Sequence, residues 1–160
     1  LCDVEYQTAN IDTELIENCI TENTKAIISV DYAGHPCRID RILDIARKHS
    51  LTVVHDAAQS CGSKFKGEYT GTQAKVSCFS FHATKNLSTG EGGCFVTNDD
   101  ELAERAYVIR DKGTNKRNFK KQNDLGYFEY KMLGNSYVQS DILGALALSQ
   151  LKKLDWMIFC

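Results

Sequence analysis

The sequence predicts an α/β fold: a mixed, mostly parallel sheet with helices on both faces. Three observations carry that expectation. Two short apolar runs, Lys25 to Val30 and Leu51 to Val54, have the continuous character of buried parallel strands. Between them Ile42, Leu43, Ile45 and Ala46 recur at helical spacing, so residues 25–54 read as a β-α-β unit with a right-handed crossover. Further along, Val76 to Phe81 and Cys94 to Thr97 read as strands separated by a glycine turn, Gly90-Glu91-Gly92-Gly93. Strands therefore outnumber the helices between them.

Asp12 is placed to cap a first helix carrying Leu15, Ile16, Cys19 and Ile20 on one face, with Ile11 and Ile16 as its hydrophobic staple. The strand at 25–30 is expected to be covered on both faces, and Pro36 sits in the turn after it. Asp40 is the predicted cap of the next helix, whose C-terminal dipole is complemented by Arg47, Lys48 and His49. An irregular stretch containing Gly62, Gly67 and Gly71 precedes the third strand. Asn98 or Asp99 caps a long helix to about Lys112, closed by Gly113 where a left-handed residue is favoured. A polar, basic loop from Thr114 to Asp124 follows. Ser140 then caps a final helix with Ile142, Leu143, Leu146, Ala147, Gln150, Leu151 and Leu154 at helical spacing, expected to pack in the core or against a second subunit.

Composition limits the function classes. The 160 residues are 42% hydrophobic and 25% charged with a single Pro, which describes one globular domain. With 19 Lys+Arg against 21 Asp+Glu the net charge is -2, so no global positive field exists to hold nucleic acid or an anionic membrane. The apolar runs fall far short of the roughly 18 residues of a membrane span. No basic segment followed by an apolar core opens the chain, which predicts a cytoplasmic protein. The seven cysteines never form a C-x-x-C pair and read as free thiols, and no metal-ligand spacing occurs. The chain begins at Leu1 and its last periodic helix runs almost to Cys160, so a piece of something longer is expected.

In an open parallel sheet the ligand site lies beyond the carboxyl ends of the strands. Two ends carry chemistry here: Val53-Val54-His55-Asp56-Ala57-Ala58-Gln59, and Phe79-Ser80-Phe81-His82-Ala83-Thr84-Lys85-Asn86. A lysine in a strand-end loop can attack a carbonyl, and a carboxylate is its usual partner. Pyridoxal phosphate needs that pair, with Lys85 to form the Schiff base and Asp56 to keep the pyridine nitrogen protonated. Ser80 offers a hydroxyl to the phosphate and Gln59 an amide to the ring. The bland alternatives are that Asp56 only caps the following turn, that Lys85 is a surface lysine, and that His82 is a local hydrogen-bonding residue. A Cys/His hydrolase built on Cys78 or Cys94 with His55 or His82 has nothing to select its thiol, and neither a G-x-G-x-x-G nor a P-loop string occurs.

Asp56-Ala57-Ala58-Gln59, the run from Phe79 to Asn86, Gly90-Glu91-Gly92-Gly93, the run from Arg110 to Asn115, Ser136-Tyr137 and Ser140-Asp141 together resemble the DegT/DnrJ/EryC1/StrS sugar aminotransferase family of fold-type I pyridoxal phosphate enzymes. The resemblance implies the central part of that fold's large domain over residues 1–160, with the upstream phosphate loop and the small C-terminal domain absent. It implies pyridoxal 5'-phosphate as cofactor, Lys85 as catalytic Schiff-base lysine and proton shuttle, and Asp56, Gln59 and Ser80 as cofactor contacts. Ser136 stands where many relatives place an Asn that reaches the phosphate of the neighbouring subunit, and His55 where relatives commonly have Glu. Family members that dehydrate rather than transaminate replace the lysine with His, so Lys85 favours transamination.

Within the family the loop wording implies a dTDP-linked 4-dehydro-6-deoxyglucose as amino acceptor, glutamate as donor, a homodimer, and a place in cell-surface polysaccharide or enterobacterial common antigen synthesis. The basic loop from Lys112 to Lys121 then becomes a candidate diphosphate contact, with Lys112, Asn115 and Arg117 as substrate residues. The competing readings are a solvated basic surface for that loop, and a non-catalytic α/β binding domain or an inactive fragment for the chain.

Overall fold

The computed structural model describes residues 1–117 and 128–159. They form two compact units, Leu1–Asn98 with Ile142–Cys160, and Asp99–Asp141. In the first unit a four-stranded sheet has the order β1-β2-β5-β6, where β1 is Ala26–Val30, β2 Thr52–Asp56, β5 Val76–Ser80 and β6 Gly93–Val96. The first three strands are parallel and β6 runs antiparallel to β5, so the sheet is mixed and mostly parallel. The 81–92 connection into β6 contains no helix, whereas a parallel crossover usually does.

Helix α1, Ile39–Lys48, packs on β1 and β2. It buries Ile39, Ile42, Ile45 and Ala46 against Ile27 and Val53, with Cys37, Ile16 and Ala74 completing the core. Leu43 is only half-buried. Asp40 is not the cap: Arg38 holds that position without a side-chain bond, and Asp40 lies in the first turn, where its charge still suits the helix dipole. The expected cover on both faces of β1 is not found either. Ile27 and Ser29 are buried, while Ile28 is 65% and Val30 36% exposed. β1 is the edge strand of the described sheet, and α1 covers one face of it.

The expected first helix reduces to turns and a 3-10 segment, Glu17–Cys19. Asp12 Oδ1 accepts the Glu14 N–H at 2.9 Å, and the following bonds, Leu15 to Asp12 and Cys19 to Ile16, close at three-residue spacing. Ile16 alone of the predicted stripe is buried, and one anchor does not hold a longer helix in place. Between β2 and β5 the glycine-containing stretch contains a small hairpin, β3 (Lys64–Phe65) with β4 (Glu68–Tyr69), antiparallel. Lys66 and Gly67 at φ +51° and +89° supply its turn, the left-handed pair that matches strand twist.

The predicted C-terminal helix is two: α3, Asp141–Leu151, and α4, Leu154–Phe159. None of the α3 residues is buried, and Ile142 is 81%, Leu148 57% and Leu151 54% exposed. It is therefore not part of this chain's core. No helix among the described residues is long and apolar enough to cross a membrane.

In the second unit α2, Asp100–Arg110, is capped by Asp99, whose carboxylate accepts the Leu102 N–H at 3.0 Å. Its end is closed as expected: the Gly113 N–H donates to Val108 O at 2.9 Å with Gly113 at φ +78°. Residues 129–137 return across this end, with Asn135 N–H on Ile109 O and Tyr137 N–H on Arg110 O.

Candidate active site

Strand alternation sorts the side chains of β2. Val53 and His55 are buried on the face that α1 covers, so Asp56, the last residue of the strand, emerges on the other. Register puts Cys78 directly beside Asp56 and His55 beside Ser77, so Asp56, Cys78 and Ser80 share one face. Asp56 Oδ1 accepts the Ala58 N–H at 3.0 Å and lies 3.9 Å from Cys78 Sγ. The carboxylate thus caps the turn after β2, and its Oδ2 keeps no hydrogen bond among the described residues. Ser80 Oγ accepts the His82 N–H at 3.2 Å, which leaves its proton free to donate outward.

The lysine loop is pinned at both ends. Phe81 N–H bonds Gly92 O and Thr89 N–H bonds Phe81 O, each at 2.9 Å, while Leu87 and Thr89 are 4% and 2% exposed. His82 accepts from Thr84 N–H through Nδ1 at 3.3 Å and meets Thr84 Oγ1 at 3.1 Å, a purely local arrangement. Lys85 is half-buried, with its backbone N–H on His82 O at 3.0 Å and no ion pair among the described residues. Its side chain lines a cavity of about 230 Å³ together with Gln59, Ala33, Ala58, Cys61, Thr84 and Asn86. Gln59 Oε1 accepts the Ala33 N–H at 3.1 Å, which anchors the amide at the cavity wall. Lys85 and Gln59 thus meet in one cavity. Asp56 and Ser80 stand at the neighbouring strand ends and are not among its lining residues.

Ser136 and the candidate substrate residues belong to the second unit. Ser136 is exposed and paired through its backbone with Asp111. Lys112 adopts φ +59° with its ammonium 3.9 Å from Asp111. Asn115 Oδ1 accepts the Glu129 N–H at 2.8 Å. The Arg117 guanidinium lies 3.4 Å over the Tyr107 ring and 3.5 Å from Glu104, so it is engaged with α2. Lys120 and Lys121 of the basic loop lie outside the described residues.

Sequence reasoning passed over a buried network beneath the first set. Asp31 Oδ1 meets His55 Nε2 at 2.9 Å and accepts the Cys37 N–H at 2.9 Å, and Oδ2 accepts the Ser60 hydroxyl at 2.6 Å. Burial opposes ionisation of Asp31, but the bonds from His55, Ser60 and the Cys37 N–H outweigh it and hold the carboxyl below its usual range. Burial first, and the Asp31 charge second, push the Cys37 thiol up to about 12. Asp31, Cys37 and His55 are a possible ligand trio by residue type. In this structure their spacing is that of hydrogen bonds, and both Asp31 oxygens accept from protein donors. The signal in the sequence was Asp31 itself, a carboxylate directly after an apolar strand, as Asp56 is.

A lysine and an amide line one cavity at the carboxyl ends of parallel strands, with a carboxylate at the adjoining end, the residue types that Schiff-base chemistry on a carbonyl group would use. The sequence profile of the DegT/DnrJ/EryC1/StrS aminotransferase family matches residues 1–159, and the chain belongs to that family. It is 44% identical over 157 residues to the protein MJ1066 of Methanocaldococcus jannaschii, covering 97% of this chain and 41% of that one. It is 40% identical over 149 residues to the UDP-4-amino-4,6-dideoxy-N-acetyl-beta-L-altrosamine transaminase of Helicobacter pylori, covering 93% of this chain and 38% of the relative. The solved structure of Helicobacter pylori PseC, an aminotransferase involved in the biosynthesis of pseudoaminic acid, superposes with a TM-score of 0.90 at 38% identity, over 98% of this chain and 40% of that one. The chain thus spans about 40% of the length of the relatives it matches.

Proposed function

We propose that this chain supplies the lysine, the carboxylate and part of the cofactor cradle of a pyridoxal phosphate-dependent sugar-nucleotide aminotransferase. The observation that carries the reading is Lys85 in one cavity with Gln59, beside the Asp56 strand end. The residues fit the cofactor chemically: an amine with no ion pair and a carboxylate with Oδ2 unbonded among the described residues, an anchored amide and an outward-donating hydroxyl. When bound, pyridoxal phosphate supplies an electron sink that lets an amino group be exchanged between an amino acid and a keto sugar.

Each residue then has a defined task. Lys85 Nζ would hold the cofactor covalently at rest and, once released, would carry a proton between the amino-acid α carbon and the cofactor. Asp56 accepts a hydrogen bond from the ring N–H and keeps that nitrogen charged. Gln59 orients the ring, and Ser80 donates to the phosphate. Ser136 is assigned a phosphate contact across a homodimer, shorter in reach than an Asn. The exposed apolar residues of α3 support such a dimer.

The proposed substrates are glutamate and a nucleotide-linked 4-keto-6-deoxy sugar, the dTDP-4-dehydro-6-deoxyglucose of cell-surface polysaccharide or common antigen synthesis, acting in the cytoplasm. Lys112, Asn115 and Arg117 are the proposed diphosphate contacts.

The test is to incubate the protein with pyridoxal phosphate, reduce with borohydride, and locate the pyridoxyl group by peptide mass mapping. A label confined to Lys85 supports the reading. Labelling scattered over exposed lysines in the full-length protein overturns it.

A further inference from the structure

The Asp31 network has no share in the chemistry assigned above, yet it sits where that chemistry is aimed. Asp31 and Ser60 are 0% and His55 1% exposed. Burying a carboxylate is costly, and an apolar group of the same shape is often no less stable, so such a network is explained when it selects one backbone arrangement.

The arrangement selected here is specific. His55 immediately precedes Asp56, and Ser60 immediately follows Gln59. One carboxylate therefore grips both ends of the 56–59 turn. The Asp31 N–H also donates to Asp56 O at 3.0 Å. The chain leaving Asp31 forms the 32–34 turn, whose Ala33 N–H holds the Gln59 amide and whose Gly34 approaches Gln59 so closely that a Cβ there would lie 2.9 Å from Gln59 O. Thr70 Oγ1 donates to Ser60 O at 2.8 Å and fixes the far side. Apart from the Cys37 N–H on Asp31 Oδ1, these connections run to residues that flank or carry a proposed cofactor contact.

We infer that Asp31 and His55 are positioning residues of the candidate active site: their buried pair, extended through Ser60, sets the 56–59 turn so that the Asp56 carboxylate and the Gln59 amide meet the cofactor ring together. The inference rests on the cofactor reading proposed above.

The experiment uses the full-length protein. Ser60→Ala cuts the link to the turn, Asp31→Asn keeps its shape but removes the charge, and Ile42→Val softens the core away from the network. The readouts are the pyridoxal phosphate Kd by absorbance titration and the visible circular dichroism per mole of bound cofactor, which reports its orientation. Ser60→Ala and Asp31→Asn are expected to raise Kd roughly tenfold, the size of one lost charge-assisted bond, and to change the dichroism. Ile42→Val lowers Tm and leaves both readouts in place. If Asp31→Asn does not fold, Ser60→Ala decides. Unchanged Kd and dichroism, or an equal change in Ile42→Val, overturns the positioning role while wild-type Lys85 still labels. Loss of Lys85 labelling in the wild type overturns the cofactor reading and this inference with it.

Discussion

Asp31 Oδ1 and His55 Nε2 meet at 2.9 Å, and neither side chain touches solvent. The pair joins the end of β1 to the end of β2, neighbouring parallel strands of the sheet. Removing one partner strands the other. Asp31→Ala leaves His55, the Cys37 N–H and the Ser60 hydroxyl without their acceptor, and is expected to cost about 3–5 kcal/mol in urea unfolding. A loss below about 1 kcal/mol shows that the network is not a structural link.

Because the Asp31 carboxyl is held below its usual range, its share of stability is present above the unfolded carboxylate value of about 4. That share falls away as pH drops through the lower folded value. Wild type and Asp31→Asn are therefore expected to converge in stability at acid pH and diverge toward neutrality, in paired unfolding curves across pH.

Asp40 gives a milder version at the surface. Burial works against its charge, but bonds from Lys66, the Arg41 N–H and Arg38 bring the carboxyl down to about 2. Lys66 Nζ lies 2.7 Å away, tying the β3–β4 hairpin to the start of α1. Both groups are well solvated, so Asp40→Asn is expected to cost less than about 1 kcal/mol at neutral pH. The difference shrinks as pH falls from about 4 toward about 2.

Cys37 and Cys19 are expected to differ sharply in reactivity. Cys37 is 1% exposed and its thiol is pushed up to about 12, whereas Cys19 is exposed. At mildly alkaline pH an alkylating reagent should modify Cys19 in the native protein and Cys37 only on unfolding, since the thiolate is the nucleophile. Native-state labelling of Cys37 in a mass map contradicts its burial.

Gly34 is held at φ +80° with Gln59 O in the way of any Cβ. Gly34→Ala is expected to cost about 1–3 kcal/mol and to weaken pyridoxal phosphate retention, because the turn that holds Gln59 must shift. Calorimetry reads the first effect and cofactor titration the second.

Lys85→Met removes the only group proposed to bond the cofactor covalently, and with no ion pair to lose among the described residues it should leave stability within about 0.5 kcal/mol. Borohydride-trapped label should vanish from the 82–92 peptides while urea unfolding is unchanged.

The parts legible in the sequence were those set by local pattern. The apolar runs at 25–30 and 51–54 marked β1 and β2, the Ile42, Ile45 and Ala46 spacing marked the buried face of α1, and Asp99 and Gly113 marked the ends of α2. Gln59 and Lys85 follow the carboxyl ends of β2 and β5 along the chain, and the two line one cavity. Apolar spacing over 12–20 does not say how many of its residues reach the core: Ile16 is buried there, while Ile20 packs against it only in part. Asp40 lies two positions past the Arg38 cap, and a carboxylate near a helix start carries the same sequence signal at either place. The β3–β4 hairpin was hidden because Lys66, not a glycine or asparagine, takes the first left-handed position.

By itself the sequence determined the β-α-β order, the lysine loop and its glycine turn, and the family to which the chain belongs, because each depends on residues close together along the chain. Tertiary structure alone decided which face of β1 is buried, that Asp56 rather than His55 emerges beside Cys78, and that Asp31 grips both ends of the 56–59 turn. Those are matters of register between strands and of contacts 24 and 29 positions apart, counted from Asp31 to His55 and to Ser60. Such contacts are set by packing of the whole sheet and leave no periodic trace in any one segment.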